Sequence, residues 1–90
     1  MTGMDDRLAD RLYEKVIALS RANGLALRAF DRDEVLLQSG LLDSATLIEY
    51  VVWIENEFDI TIEQEELTVE NFGSINQIAA FVDARRKSAA

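Results

Sequence analysis

The chain has no cysteine and no histidine, so no disulfide can staple it and the usual zinc ligands are missing. The same absences remove Ser/His/Asp and Cys/His nucleophilic arrangements, leaving carboxylates, hydroxyls and lysines as the available side-chain chemistry. Self-contained catalysis is not expected, and neither is a metal centre. Proline is also absent, and no proline-rich linker, internal repeat or low-complexity segment divides the chain. No segment approaches the roughly 18 uninterrupted apolar residues that cross a bilayer, and no apolar run of signal-peptide length opens the sequence. These features point to a soluble, cytoplasmic protein without stable membrane insertion.

Ninety residues with 49% hydrophobic content supply one core, so residues 1–90 are read as one domain with an ordered core over about 4–86. A chain this short buries only about 60% of its unfolded surface, so helix packing must supply the stability. Nine Lys and Arg against seventeen Asp and Glu give a net charge of -8. The distribution says more than the total. Residues 33–84 hold twelve acids and no Lys or Arg, a surface that repels phosphate backbones and anionic headgroups. Nucleic acid is excluded as a partner, and a basic protein surface is favoured.

Met4 to Asn23 reads as an amphipathic helix through Leu8, Leu12, Val16 and Leu19, with Gly24 placed to end it in a left-handed conformation. Residues 25–43 lack a clean period but carry Leu25, Leu27, Phe30, Val35, Leu36, Leu37, Leu41 and Leu42, so this long loop must pack across the helices. Gly40 marks a turn. Asp31-x-Asp33 fails as a calcium loop, because Val35 and Leu36 stand where an oxygen ligand and a glycine are required. Asp43 to Phe58 is the strongest helix: Asp43 is a good N-cap, and Leu47, Ile48, Val51, Ile54 and Phe58 share one stripe at about 100° per residue. Tyr13 and Tyr50 read as structural. Ile60-Thr61-Ile62 is extended or irregular, and Glu63 to Val69 suits a short acidic helix packed through Leu67. Ser74-x-x-Gln77 is a capping box before a last helix with Ile75, Ile78, Ala79 and Val82 inside and Phe81 alongside. The fold class is therefore all-α: a small four-helix bundle of three main helices and one short one, with a long packed loop between the first two.

The run Gly40-Leu41-Leu42-Asp43-Ser44 and the helix after it resemble the acyl carrier proteins, which bear acyl or aminoacyl thioesters on a phosphopantetheine arm. The likeness lies in the Asp-Ser pair, a Glu five residues after the serine, the Val51 and Ile54 spacing, and Glu57-Phe58-Asp59-Ile60 followed by Ile62. Asp-Ser alone is a common helix start; the combination is what carries the resemblance. It implies that Ser44 is the attachment point of 4'-phosphopantetheine and that Asp43 helps to position metal and cofactor during transfer. It also implies a phosphopantetheinyl transferase, a cargo-loading ligase and downstream acyl or aminoacyl transferases with basic docking surfaces as partners of a monomeric carrier. A serine at a helix N-terminus suits this physically, since the helix dipole favours the phosphodiester it would gain. Ala45 replaces the leucine that many fatty-acid and polyketide carriers have there, and Glu63 replaces a frequent proline. Glu66-Leu67 and Phe72-Gly73-Ser74-Ile75-Asn76 look more like the D-alanyl and other stand-alone aminoacyl carriers. Cargo and pathway, fatty-acid or secondary-metabolite, stay open.

Trp53 lies roughly 150° around the helix from the core stripe. With Val52, and flanked by Ala45, Glu49 and Asn56, it is expected to form an exposed docking strip beside Ser44, the aromatic ring supplying affinity and the acids the encounter rate. Glu63, Glu65, Glu66 and Glu70 have no spacing that separates them from a solvated acidic surface. The rival reading is an acidic helical adaptor that binds a basic protein without any cofactor.

Overall fold

The computed structural model describes residues 6–25 and 29–88; Met4, at the expected start of the first helix, and Leu27 of the loop lie outside them. Helix α1 spans Asp6–Ala22, α2 Ser44–Phe58, α3 Val69–Phe72 and α4 Ile75–Ser88, with a single 3-10 turn at Gln64–Glu66. Helix α1 buries Leu8, Leu12, Val16 and Leu19, as the four-residue spacing requires. It ends where Gly24 turns left-handed at φ 66°, which lets the Leu25 amide return to the Ser20 carbonyl at 2.9 Å.

The long loop is a packed layer. Phe30, Leu36, Leu41 and Leu42 are buried, and the Phe30 ring stacks on Tyr13 with centroids 4.2 Å apart. Backbone bonds tie it to the last third of the chain, from the Leu36 amide to the Gly73 carbonyl at 2.8 Å and from the Asn76 amide to the Arg32 carbonyl at 3.0 Å. The buried Ser20 hydroxyl donates to the Leu41 carbonyl. Leu37 departs from the expectation: it is 47% exposed, on the outer side of the Gly40 turn.

Helix α2 begins and ends as read, yet its buried face is turned by about 60° from the expected stripe. Thr46, Tyr50 and Ile54 form the buried row, with Val51 beside them, while Ile48, expected inside, is 62% exposed. The cause is Tyr50. Its phenol donates to the Leu12 carbonyl of α1 at 2.9 Å, so the largest side chain on that arc can be buried with its polar atom satisfied. Burial also holds the phenol well above its usual pKa of 10.0.

The expected single helix over Glu63–Val69 is two short pieces. Leu67 is 40% exposed and Phe72 is the residue that enters the core, its ring 4.9 Å from Phe81 of α4. Thr68 caps α3 through its side chain. Ile60 and Ile62 are buried in an irregular segment, after Asp59 ends α2 in the left-handed region at φ 55°. At the start of α4 the Ser74 hydroxyl accepts from the Gln77 amide at 3.3 Å and donates to the Gln77 side chain. Gln77 thus meets the Ser74 hydroxyl, where the capping box predicts a contact with the Ser74 backbone. Ile75, Ile78, Ala79 and Val82 are fully buried.

The turned face of α2 separates two isoleucines less than two turns apart. Ile54→Ala should cost about 2–5 kcal/mol, and Ile48→Ala should stay within about 0.5 kcal/mol of the parent, both read from urea unfolding.

Candidate functional site

The site is built on the first turn of α2. Asp43 is extended (φ -105°, ψ -177°) and caps the helix: its carboxylate accepts from the Thr46 amide at 2.9 Å and from the Thr46 hydroxyl at 2.7 Å. The Asp43 amide in turn donates to the Thr46 hydroxyl oxygen at 2.8 Å. Reciprocal capping of this kind satisfies two orphan amides at once. The Thr46 side chain, then its amide, hold the Asp43 carboxyl below its usual 3.8. Thr46 is 2% exposed, so the cap is anchored in the core. Thr46 was not singled out in the sequence, although Asp-x-x-Thr was there to be read as a capping pair.

Ser44 is the first helical residue and is exposed. The capping bonds run between its neighbours, which leaves its hydroxyl outside them. Ser44, Ile48 and Val52 follow at four-residue steps and so lie in one row, with Ile48 and Val52 62% and 49% exposed. Ala45, Glu49 and Asn56 are exposed on the same arc. Beside the site, an apolar cavity of about 120 Å³ is framed by Leu37, Leu47, Leu67, Val69 and Phe72.

Trp53 is not part of this arc. It is half-buried and packed against the core, stacked on Tyr50 at 6.0 Å and edge-on to Phe58 at 5.8 Å. Once Tyr50 defines the buried centre, Trp53 sits on its flank rather than opposite it. Ile48 takes the place expected for the ring as the large apolar side chain near Ser44. The acidity of α2 is also smaller in effect than in count: Glu55 accepts from the Ile62 amide at 2.9 Å and Glu57 pairs with Arg11. Glu66 is likewise engaged, held below its usual pKa by the Glu63 amide and by Arg85. Among the described residues no cluster of His, Cys, Asp or Glu could hold a metal ion, and no helix is long and apolar enough to cross a membrane.

Comparison with known proteins adds an independent line. The profile of a family described as "Phosphopantetheine attachment site" matches residues 17–82. The D-alanyl carrier protein of Lactococcus lactis subsp. lactis is 36% identical over 56 residues, covering 62% of this chain and 71% of that protein. That of Streptococcus mutans serotype c is 39% identical over 46 residues, covering 51% and 58%. The Streptococcus suis protein is 38% identical over 50 residues, covering 56% and 63%.

Because the folded-state pKa of Asp43 lies below its unfolded value, its contribution to stability is present above the usual carboxylate pKa and is lost as pH falls through the folded value. Asp43→Ala should therefore lower the urea midpoint at about pH 7, and the gap to the parent should narrow at about pH 2. A gap that stayed constant across that range would contradict the capping role of the ionised carboxylate.

Proposed function

The chain belongs to the phosphopantetheine attachment-site family, and from that premise we propose that Ser44 takes the arm and that its cargo is small, an aminoacyl or short acyl group. The protein is a carrier and not an enzyme, and its prosthetic group is phosphopantetheine. When attached, that group supplies the terminal thiol that this cysteine-free chain lacks. The observation that carries the assignment is an exposed serine as the first residue of a helix whose cap is completed by Asp43 and Thr46 on either side of it. Its oxygen is open to a modifying enzyme, and the backbone dipole beneath favours the anion that modification would leave there. Asp43, kept ionised by Thr46, is the adjacent charge that a divalent cation in the transferase would meet.

Two features support a small cargo. The cavity beside the site holds about 120 Å³, less than the roughly 150 Å³ of a dry cavity that takes up one benzene. The core itself is filled, with Leu36, Leu41, Leu42 and Ile54 fully buried, so a long chain could enter it only by displacing such side chains. Similarity to D-alanyl carrier proteins agrees with this reading. We also assign partner docking to the row of Ile48 and Val52 with Ala45, Glu49 and Asn56. Loading and unloading enzymes would meet it with an apolar recess and only a light basic rim, since Glu55 and Glu57 are engaged within the molecule.

Incubated with coenzyme A, magnesium and a broad-specificity phosphopantetheinyl transferase, the protein should gain the mass of one arm, and Ser44→Ala should gain none. An unmodified parent protein would favour the cofactor-free adaptor. Cargo size has its own readout: each methylene buried adds about 0.8 kcal/mol, so a long acyl chain that entered the core would raise Tm by more than about 8 °C in a domain of this size. The long-chain form should instead melt close to the aminoacyl form; a rise of that size would overturn the small-cargo reading and leave Ser44 standing.

A further inference from the structure

Nine positions separate Ser44 from Trp53, and nine steps of about 100° put Trp53 on the opposite side of the α2 axis. That side carries the opposite charge. Arg7, Arg11 and Lys15 follow at four-residue steps along α1 and form one row, a spacing at which like charges repel each other across each turn. Two recesses lie along the row. One, of about 270 Å³, is lined by Arg11, Glu14, Lys15, Ala18 and Trp53. The other, of about 220 Å³, is lined by Arg7, Leu8, Arg11 and Arg86. Arg11 lines both, so the two shallow recesses adjoin along α1 and are taken together as one open groove running towards the ends of α2 and α4.

The cations are held in place by aromatic rings. The Lys15 ammonium lies 5.4 Å from the Trp53 ring centroid, while the Arg11 and Arg86 guanidiniums lie 4.9 Å and 5.7 Å from that of Phe58. A guanidinium resting on a ring keeps its in-plane N–H groups available to an oxygen acid. Within the groove Glu14 and the Glu57 partner of Arg11 offset part of this charge. Among the residues that line it the four cations, Arg7, Arg11, Lys15 and Arg86, still outnumber these two acids, on a protein whose net charge is -8.

We propose that this groove is a second docking site, and that it takes an acidic segment of a partner protein with an apolar side chain lodged against Trp53. Charge complementarity selects the acid, and the half-buried Trp53 ring selects an apolar contact. The surrounding anionic surface decides against an extended polyanion. A bilayer or a nucleic acid would bring further negative charge against that surface within a Debye length of about 8–10 Å, whereas a short segment confines its carboxylates to the groove. Because the groove and Ser44 face opposite ways, a partner seated here would leave the Ser44 face open, holding the carrier near its enzymes at a high effective concentration.

Trp53 is the single tryptophan of the chain, so its fluorescence reports on the groove alone. Titrating the 90-residue chain with a short synthetic peptide, rich in Glu and with a leucine at every fourth position, should shift Trp53 emission. The same peptide with Gln for Glu should not. Lys15→Glu and Arg7→Glu, at opposite ends of the groove, should each weaken binding by about tenfold, and Lys15→Arg should restore it. The Lys15→Glu protein should still accept the arm, which separates this site from the carrier reading. The proposal is overturned by unchanged emission up to about 1 mM peptide, a weak affinity by any scale. It is equally overturned if both reversals leave binding intact, or if phosphatidylglycerol vesicles or duplex DNA bind more tightly than the peptide.

Discussion

Helix α2 can present only one side to the core, and the bond from the Tyr50 phenol to the Leu12 carbonyl decides which. A tyrosine fully removed from water must find an acceptor, because an unpaired buried hydroxyl costs more than its ring gains by small shifts of packing. Leu12 lies in the middle of α1, so the bond fixes α2 in rotation and along its length against that helix. The functional arrangement is a consequence. With Tyr50 inward, the row beginning at Ser44 must face solvent, and Trp53 must lie along the α1 side. The capping pair of Asp43 and Thr46 acts at the same end: the buried Thr46 ties the helix start to the core, and the preceding turn cannot swing across the serine.

The loop between α1 and α2 makes a complementary contribution without the devices that usually restrain long loops. It has no proline and no disulfide, and it is held by backbone bonds to Gly73 and Asn76 and by buried leucines. These contacts join the loop to the α3–α4 junction rather than only to the helices it connects. Leu37 and Val69 consequently both line the small cavity beside α2. The size of that cavity is set by segments distant in sequence, so no local pattern around Phe72 could fix it.

Much of this architecture was legible in advance. The α1 stripe, the left-handed Gly24, the Asp43 cap and the inner face of α4 each depend on local chemistry that periodicity and capping rules describe. The errors share a different origin. On α2 the apolar residues run nearly all the way round, so hydrophobicity alone gave no unique inner face; the choice between Ile48 and Tyr50 rested on whether a carbonyl waited in α1. Trp53 follows the same rotation: it flanks the buried centre at Tyr50 instead of standing opposite the apolar stripe. Leu67 stays outside because the expected helix breaks there: it closes the 3-10 turn at Gln64–Glu66, and the four-residue helix that follows is placed by its Thr68 cap and the ring of Phe72. A long-range acceptor, and a partner ring from another helix, leave no trace in the local pattern.

The charge of the molecule follows the same logic of position over count. A net charge of -8 suggests a uniformly acidic surface, yet Glu55, Glu57 and Glu66 are turned to internal tasks: closing the end of α2, anchoring Arg11 and clamping Arg85. The arc around Ser44 is then more apolar than acidic, with Ile48 and Val52 at its centre and Glu49 beside them. That balance suits a carrier. Interactions between exposed charges steer encounter and fade with salt, whereas burial of two aliphatic side chains of moderate size gives an affinity that can be made and broken repeatedly. A protein that must leave each enzyme to reach the next gains nothing from a stronger grip on the face that carries its cargo. Any longer-lived attachment belongs on a surface that does not have to be vacated, and turning Tyr50 inward sets Trp53 across the α2 axis from Ser44, away from that face.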